Sequence, residues 1–142
     1  MTLDFGSINW IAVVIATIVY VALGAVFFAR QLPTGRAWMA ASGYESPQSG
    51  TMSTNAFYII PLVTSFVAVV VTALLARATG TDTLTEGLVL GLLVGIGYAG
   101  TVLMTTAAFE FSKPRQWTWG AIDAAYHVLG LVLAAVILAL IR

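Results

Sequence analysis

The sequence predicts an all-α integral membrane protein, a polytopic bundle of four transmembrane helices in one domain covering 1–142. Of its residues 60% are apolar and 8% are charged, with a mean hydropathy of +0.97, whereas a soluble domain carries roughly 25% charged residues. Six basic and six acidic side chains are too few to coat a surface that faces water. The apolar residues also gather into four long uncharged runs, each near or above the roughly 20 residues that a helix needs to cross about 30 Å of hydrocarbon. Only Asp123 and His127 interrupt those runs. Strands are excluded, because lipid cannot satisfy an open sheet edge and four strands cannot close a barrel.

The first span is expected over 8–29. The segment before it carries Asp4 and no Lys or Arg, so it reads as retained and not as a cleaved signal. The loop over 30–54 holds Pro33, Gly35, Gly43, Ser46, Pro47, Ser49 and Gly50. Pro33 opens a short interfacial helix over 33–41, with Arg36 and Trp38 as anchors at the lipid headgroups and Gly43 as its stop. The second span is expected over 56–76, with Pro61 kinking it near Phe57, whose carbonyl loses its partner. Thr83 and Glu86 have capping-box spacing after a tight turn, which makes spans two and three antiparallel neighbours. The third span, over 84–111, carries Gly87, Gly91 and Gly95 at intervals of four, a ridge on which another helix packs closely. Tyr98, Thr101 and Thr105 continue at helical offsets as a polar stripe that lipid exposure would waste. The fourth span is expected over 119–141, anchored at the interface by Trp117 and Trp119.

Orientation follows from the basic residues. Arg30, Arg36, Lys113 and Arg115 flank the first and third loops, against Arg77 and Arg142 at the other end. The positive-inside bias places those loops in the cytoplasm and both termini outside, as expected for a multi-pass protein of the cell membrane. Phe28, Arg30, Pro33, Arg36 and Trp38 echo Phe111, Lys113, Pro114, Arg115 and Trp117 with different spacings. The echo fits either two related helical hairpins or the common composition of basic interfacial loops.

A net charge of zero argues against nucleic acid as a partner. The absence of Cys removes disulfides and thiol chemistry. No nucleophile with its base, phosphate loop or zincin pattern is visible, so neither an enzyme nor a bound cofactor is expected. The chemistry sits on the fourth span, where Asp123 and His127 are one turn apart and share a face. Counted from Trp119, they lie roughly 6 and 12 Å along the helix. Ionisable groups at such depth face the bundle and mark candidate pathways. Glu110, at the loop end of the third span, is the expected third member, with Tyr98, Thr101 and Thr105 lining the path. Two readings stand beside each other: a relay for a proton, ion or small solute, or a fixed hydrogen bond that pins the helix. A metal or haem site, with Asp123 orienting the His127 ring, would need Glu110 or further subunits to complete its ligands. The expected partners are the bilayer and further copies of the chain. The alternative is an accessory subunit that docks its glycine face on a larger membrane complex.

Three segments carry a family resemblance. Gly24, Phe27 and Phe28, followed by Gly35, Arg36, Trp38 and Met39, look like a glycine, an aromatic pair and a Gly-Lys-x-Trp-Met segment. Phe109 and Glu110 look like a Phe-Glu pair before a basic turn, and Tyr126 with His127 like a Tyr-His pair. On these motifs the chain resembles the domain of unknown function 1761 family of small bacterial four-helix membrane proteins. The resemblance implies fold and membrane residence and brings no assigned activity. Ala29 and Arg30 replace the family's Ser-Pro, and Asp123 and Ala125 its Asn and Gly, so the resemblance extends to Glu110 and His127 and not to Asp123.

Overall fold

The computed structural model describes residues 4–44 and 54–141, with 54–58 described in backbone only. Every regular element among them is helical. They are α1 (Trp10–Phe27), α2 (Pro33–Ser42), α3 (Thr54–Thr79), α4 (Leu84–Val94), α5 (Thr101–Phe109) and α6 (Gln116–Leu140). A short 3₁₀ turn, Phe5–Ser7, precedes α1, and a π-helical segment, Gly95–Gly100, joins α4 to α5. Four helical stretches are long and apolar enough to span a membrane: Trp10–Phe27, Ile59–Thr79, Leu84–Phe109 and Gln116–Leu140. Their outer faces suit that solvent, with Ile11 70%, Leu93 66% and Val102 62% exposed. Ser46, Pro47, Ser49, Gly50 and Arg142 lie outside the described residues.

Local signals set most boundaries. The Asn9 side chain caps α1 by accepting from the N–H groups of Ile11 and Ala12 at 3.0 and 3.2 Å. Gly43 closes α2 in the left-handed conformation, φ 72°, and its N–H donates to the Met39 carbonyl. Thr83 and Glu86 form the capping box at the start of α4. α3 runs unbroken through Pro61. Thr64 Oγ1 donates to the Ile60 and Pro61 carbonyls one turn further on.

The last helix is the hub, since α1, α2, α3, α4 and α5 all pack against α6. Small residues make this possible. A Cβ at Gly87, Gly91 or Gly95 would lie 2.9, 2.4 or 3.0 Å from the Cα of Val136, Val132 or Val128. A Cβ at Gly120 of α6 would meet the Ala107 methyl of α5 at 2.4 Å. The glycine ridge therefore forms an internal seam, which corrects the expectation that it presents a docking face to a larger complex. A second correction concerns neighbours. α3 and α4 are consecutive but touch sparsely, and each finds its main partners elsewhere.

The polar stripe is also displaced. Along the seam the buried positions step by four from Gly87 to Gly91 to Gly95, and the next residue against Val128 is Gly100, five further on. That extra residue is the π segment, whose i→i+5 bonding rotates everything after it. Tyr98 is left 73% exposed on the outer surface, and Thr101 and Thr105 are also exposed. Both threonines bond back to carbonyls of their own helix, Gly97 and Thr101. The stripe thus lies outside the bundle and not along an interior path.

The turn after α5 and the helix α2 sit at one end of the bundle. The Arg115 N–H donates to the Ala41 carbonyl at 3.1 Å, and Gly43 lies beside Pro114. Arg30, Arg36, Lys113 and Arg115 share that end, which we call the loop side. Trp117 is exposed there, while Lys113 Nζ stands 4.6 Å from the centre of the Trp119 ring. The two echoing loops take different forms, a ten-residue helix in one and a turn in the other.

Candidate functional site

Asp123 and His127 occupy one side of α6, but each bonds a different element instead of the other. The Trp38 indole N–H of α2 donates to both Asp123 carboxylate oxygens, Oδ1 at 3.2 Å and Oδ2 at 3.1 Å. The Tyr20 hydroxyl of α1 is 2.7 Å from His127 Nδ1 and also 3.4 Å from the His127 carbonyl oxygen. Trp38 is accordingly turned inward and half-buried, which corrects its expected place as a headgroup anchor. A carboxyl group that must accept a hydrogen bond is better met by an indole N–H than by lipid, and this outweighs the ordinary interfacial preference of tryptophan.

Between the two bonded pairs lies Tyr126, 7% exposed. Its ring centroid stands 5.5 Å from that of Tyr20, 5.1 Å from Phe28, 6.1 Å from Phe27 and 4.6 Å from His127. Its hydroxyl donates to the Tyr20 carbonyl at 3.4 Å and lies within hydrogen-bonding reach of buried Ser65 on α3. Phe28 in turn packs edge-on against Trp38 at 5.2 Å. α1, α2, α3 and α6 therefore meet in one aromatic cluster that encloses two ionisable groups.

The local sequence explains how α1 and α6 approach so closely. Tyr20 is followed by Gly24 on α1, and Tyr126 by Gly130 on α6, both at a spacing of four. A Cβ at Gly130 would lie 2.1 Å from the Tyr20 ring, and one at Gly24 would lie 2.9 Å from the Tyr126 hydroxyl. Each glycine makes room for the other helix's tyrosine. This reciprocal Tyr-x-x-x-Gly pair is the signal in the sequence that points to Tyr20, a residue that the charge-based reading passes over.

Glu110 stands apart from this cluster. It follows α5, and its carboxylate accepts from the Ser112 hydroxyl in its own turn. Tyr98, Thr101 and Thr105 are on the outer surface, as described above. The structure thus brings together Asp123 and His127 with Trp38, Tyr20 and Tyr126, and leaves the other expected path residues outside the cluster. Among the described residues, no three of His, Cys, Asp and Glu come close enough to hold a metal ion, so a metal site with Glu110 as ligand is not formed. A transferable proton is a different matter. The Tyr20 hydroxyl and His127 Nδ1 are at bonding distance, and each group carries both donor and acceptor capacity.

The model of the family described as Protein of unknown function (DUF1761) matches residues 11–139. The chain belongs to this DUF1761 family. The match covers α1 through nearly the end of α6, so it includes every member of the cluster. No curated protein and no solved structure matches the chain.

Proposed function

We propose that this DUF1761 protein is a small membrane transporter-like module that moves a proton, or a small solute together with a proton. In this reading Asp123 and His127 are the proton-carrying groups, and Tyr20 is the hydrogen-bond partner through which His127 exchanges. The observation that carries it is the placement of a carboxylate and an imidazole one turn apart on a spanning helix, each held by a single hydroxyl or indole partner. Groups of this kind are costly within hydrocarbon and mark proton pathways in membrane proteins. Asp123 accepts from a neutral indole, and the charge that acts on it is the Lys113 ammonium in the loop-side turn, which leaves room for proton exchange from that side. Glu110 belongs to the loop-side approach and not to the centre. The reading places the protein in the cell membrane with the loop side in the cytoplasm, in line with its basic residues, and involves no catalytic step.

Purified protein in liposomes carrying an internal pH-sensitive dye tests the proposal. Wild type is expected to dissipate an imposed pH gradient, and His127→Ala and Asp123→Asn to slow it at least about a hundredfold, the lower end of the scale on which single general acid–base groups act. Equal rates for all three would remove both residues from the mechanism.

A second reading, an accessory or self-associating subunit, draws on the outer face of α4–α5. There the Tyr98 hydroxyl lies near the middle of a spanning segment and forms no hydrogen bond among the described residues. A neighbouring chain, whether a second copy or a larger complex, would satisfy it. Cross-linking of Tyr98→Cys in native membranes tests this reading, and exclusively monomeric product with no cross-linked partner contradicts it.

A further inference from the structure

The helix α2 differs from the other elements of the bundle. Its ten residues, Pro33–Ser42, span only about 15 Å, too short to cross the bilayer. It packs on α6 and on the turn that leads out of α1. Its fully buried residues are only Gly35 and Ala41, with Trp38 half-buried between them, so one indole and two small residues carry most of its packing, which is the signature of a locally weak element. Its two ends are not equivalent. At the first, a Cβ on Gly35 would lie 2.1 Å from the Ala29 carbonyl oxygen, and Thr34 Oγ1 donates to the Phe27 carbonyl at 2.7 Å. At the second, the contacts are the backbone bond from Arg115 to the carbonyl of buried Ala41 and the Pro114 ring beside Gly43. Between them, Trp38 reaches Asp123 with its indole N–H and Phe28 with its ring.

Asp123 lies seven residues into α6 from Gln116, about 10 Å along the axis from its loop-side end. The element that covers its carboxylate from that end is α2. We propose that α2 is a hinged cover over the proton-carrying pair: it pivots at Gly35, is latched by the bond from Trp38 to Asp123, and admits loop-side water to Asp123 when the latch opens. The proposal rests on the proton-carrying reading for its purpose, but the motion itself is measurable without any transport. The latch also links the two. The Lys113 ammonium in the turn after α5 is the charged group that acts on Asp123 from the loop side, and the Trp38 indole N–H bonds a carboxylate more strongly than a carboxylic acid, so proton uptake by Asp123 against that charge loosens α2 and proton loss closes it.

The chain contains no cysteine, so single introduced cysteines report cleanly. Ala124→Cys, beside Asp123 and half-buried, is labelled in lipid nanodiscs with a water-soluble maleimide. Adding Trp38→Phe, which keeps a ring against Phe28 and loses the N–H, is expected to raise the labelling rate about tenfold, the effect of losing one bond to a charged group. Asp123→Asn is expected to raise it less, because the amide still accepts. Arg36→Ala, on the exposed side of α2, is expected to leave it unchanged. Unchanged labelling in both Trp38→Phe and Asp123→Asn, with elution and helicity as in wild type, overturns the cover. So does an equal rise in Arg36→Ala, which would indicate general loosening.

A second arm joins cover and function. The disulfide between Ala41→Cys and Arg115→Cys pins the second end of α2, and in liposomes it is expected to stop proton flux until a reductant restores it. Flux that persists under the lock contradicts the cover. Wild type that carries no flux, while Trp38→Phe still raises labelling, contradicts the transport reading and leaves the cover standing.

Discussion

Gly130 and Tyr20 show how much of this molecule depends on single residues. A methyl at Gly130 would sit 2.1 Å from the Tyr20 ring, with no room to shift in a closely packed interior, so Gly130→Ala is expected to destabilise by roughly 1–3 kcal/mol. Gly97→Ala, where nothing lies within 4 Å of the added carbon, is expected to stay within about 0.5 kcal/mol of wild type. Thermal unfolding of both variants in one detergent checks the contrast. Tyr20→Phe keeps the ring and removes the hydroxyl that meets His127, and within a membrane such a bond contributes about 0.6 kcal/mol on average. Stability should therefore change little while proton flux falls, and a large stability loss with intact flux would assign the bond a structural role alone. At this scale the sequence was legible where a side chain is chemically conspicuous. Asp123 and His127 are plain because charge in an apolar run is rare. Tyr20 and Trp38 are not, since tyrosine and tryptophan are as common at lipid interfaces as in cores, and only their tertiary partners decide between the two.

Among the elements, the third span best shows what periodicity reveals and what it hides. The capping box at Thr83 and Glu86 was readable because cap chemistry is local. Thr83→Ala is expected to cost about 1 kcal/mol by unfolding measurements. The seam of Gly87, Gly91 and Gly95 was readable for the same reason, although its partner, α6, was not. Gly91→Leu should separate α4 from α6, because even a Cβ there would lie 2.4 Å from the Val132 Cα. The measurement is loss of cooperative unfolding together with proteolysis in the α3–α4 turn, and unchanged behaviour would contradict the seam. The stripe of Tyr98, Thr101 and Thr105 does not line an interior path because a fixed helical period does not hold through Gly95–Gly100. Three glycines in six residues weaken the α-helix enough for a π turn, and the inserted residue swings Tyr98 outward.

For the molecule as a whole, four spanning helices and a shared loop side for α2 and the turn after α5 followed from hydropathy and charge, because those properties sum over many residues. Bundle order did not follow, since contacts between glycines and backbone leave no trace in hydropathy. The topology is testable with an impermeant thiol reagent on single-cysteine variants in oriented vesicles: Arg36→Cys and Lys113→Cys should react from one side and Arg77→Cys from the other. Mixed sidedness of Arg36 and Lys113 would contradict the bundle. The central claim is that His127, inside the bundle, exchanges a proton through Tyr20. Because the chain has one histidine, ¹⁵N-histidine solid-state NMR in lipid bilayers reads that imidazole alone. The expected result is a ring nitrogen resonance that moves with bulk pH and shifts at Nδ1 in Tyr20→Phe. A resonance indifferent to both pH and Tyr20→Phe would contradict the claim.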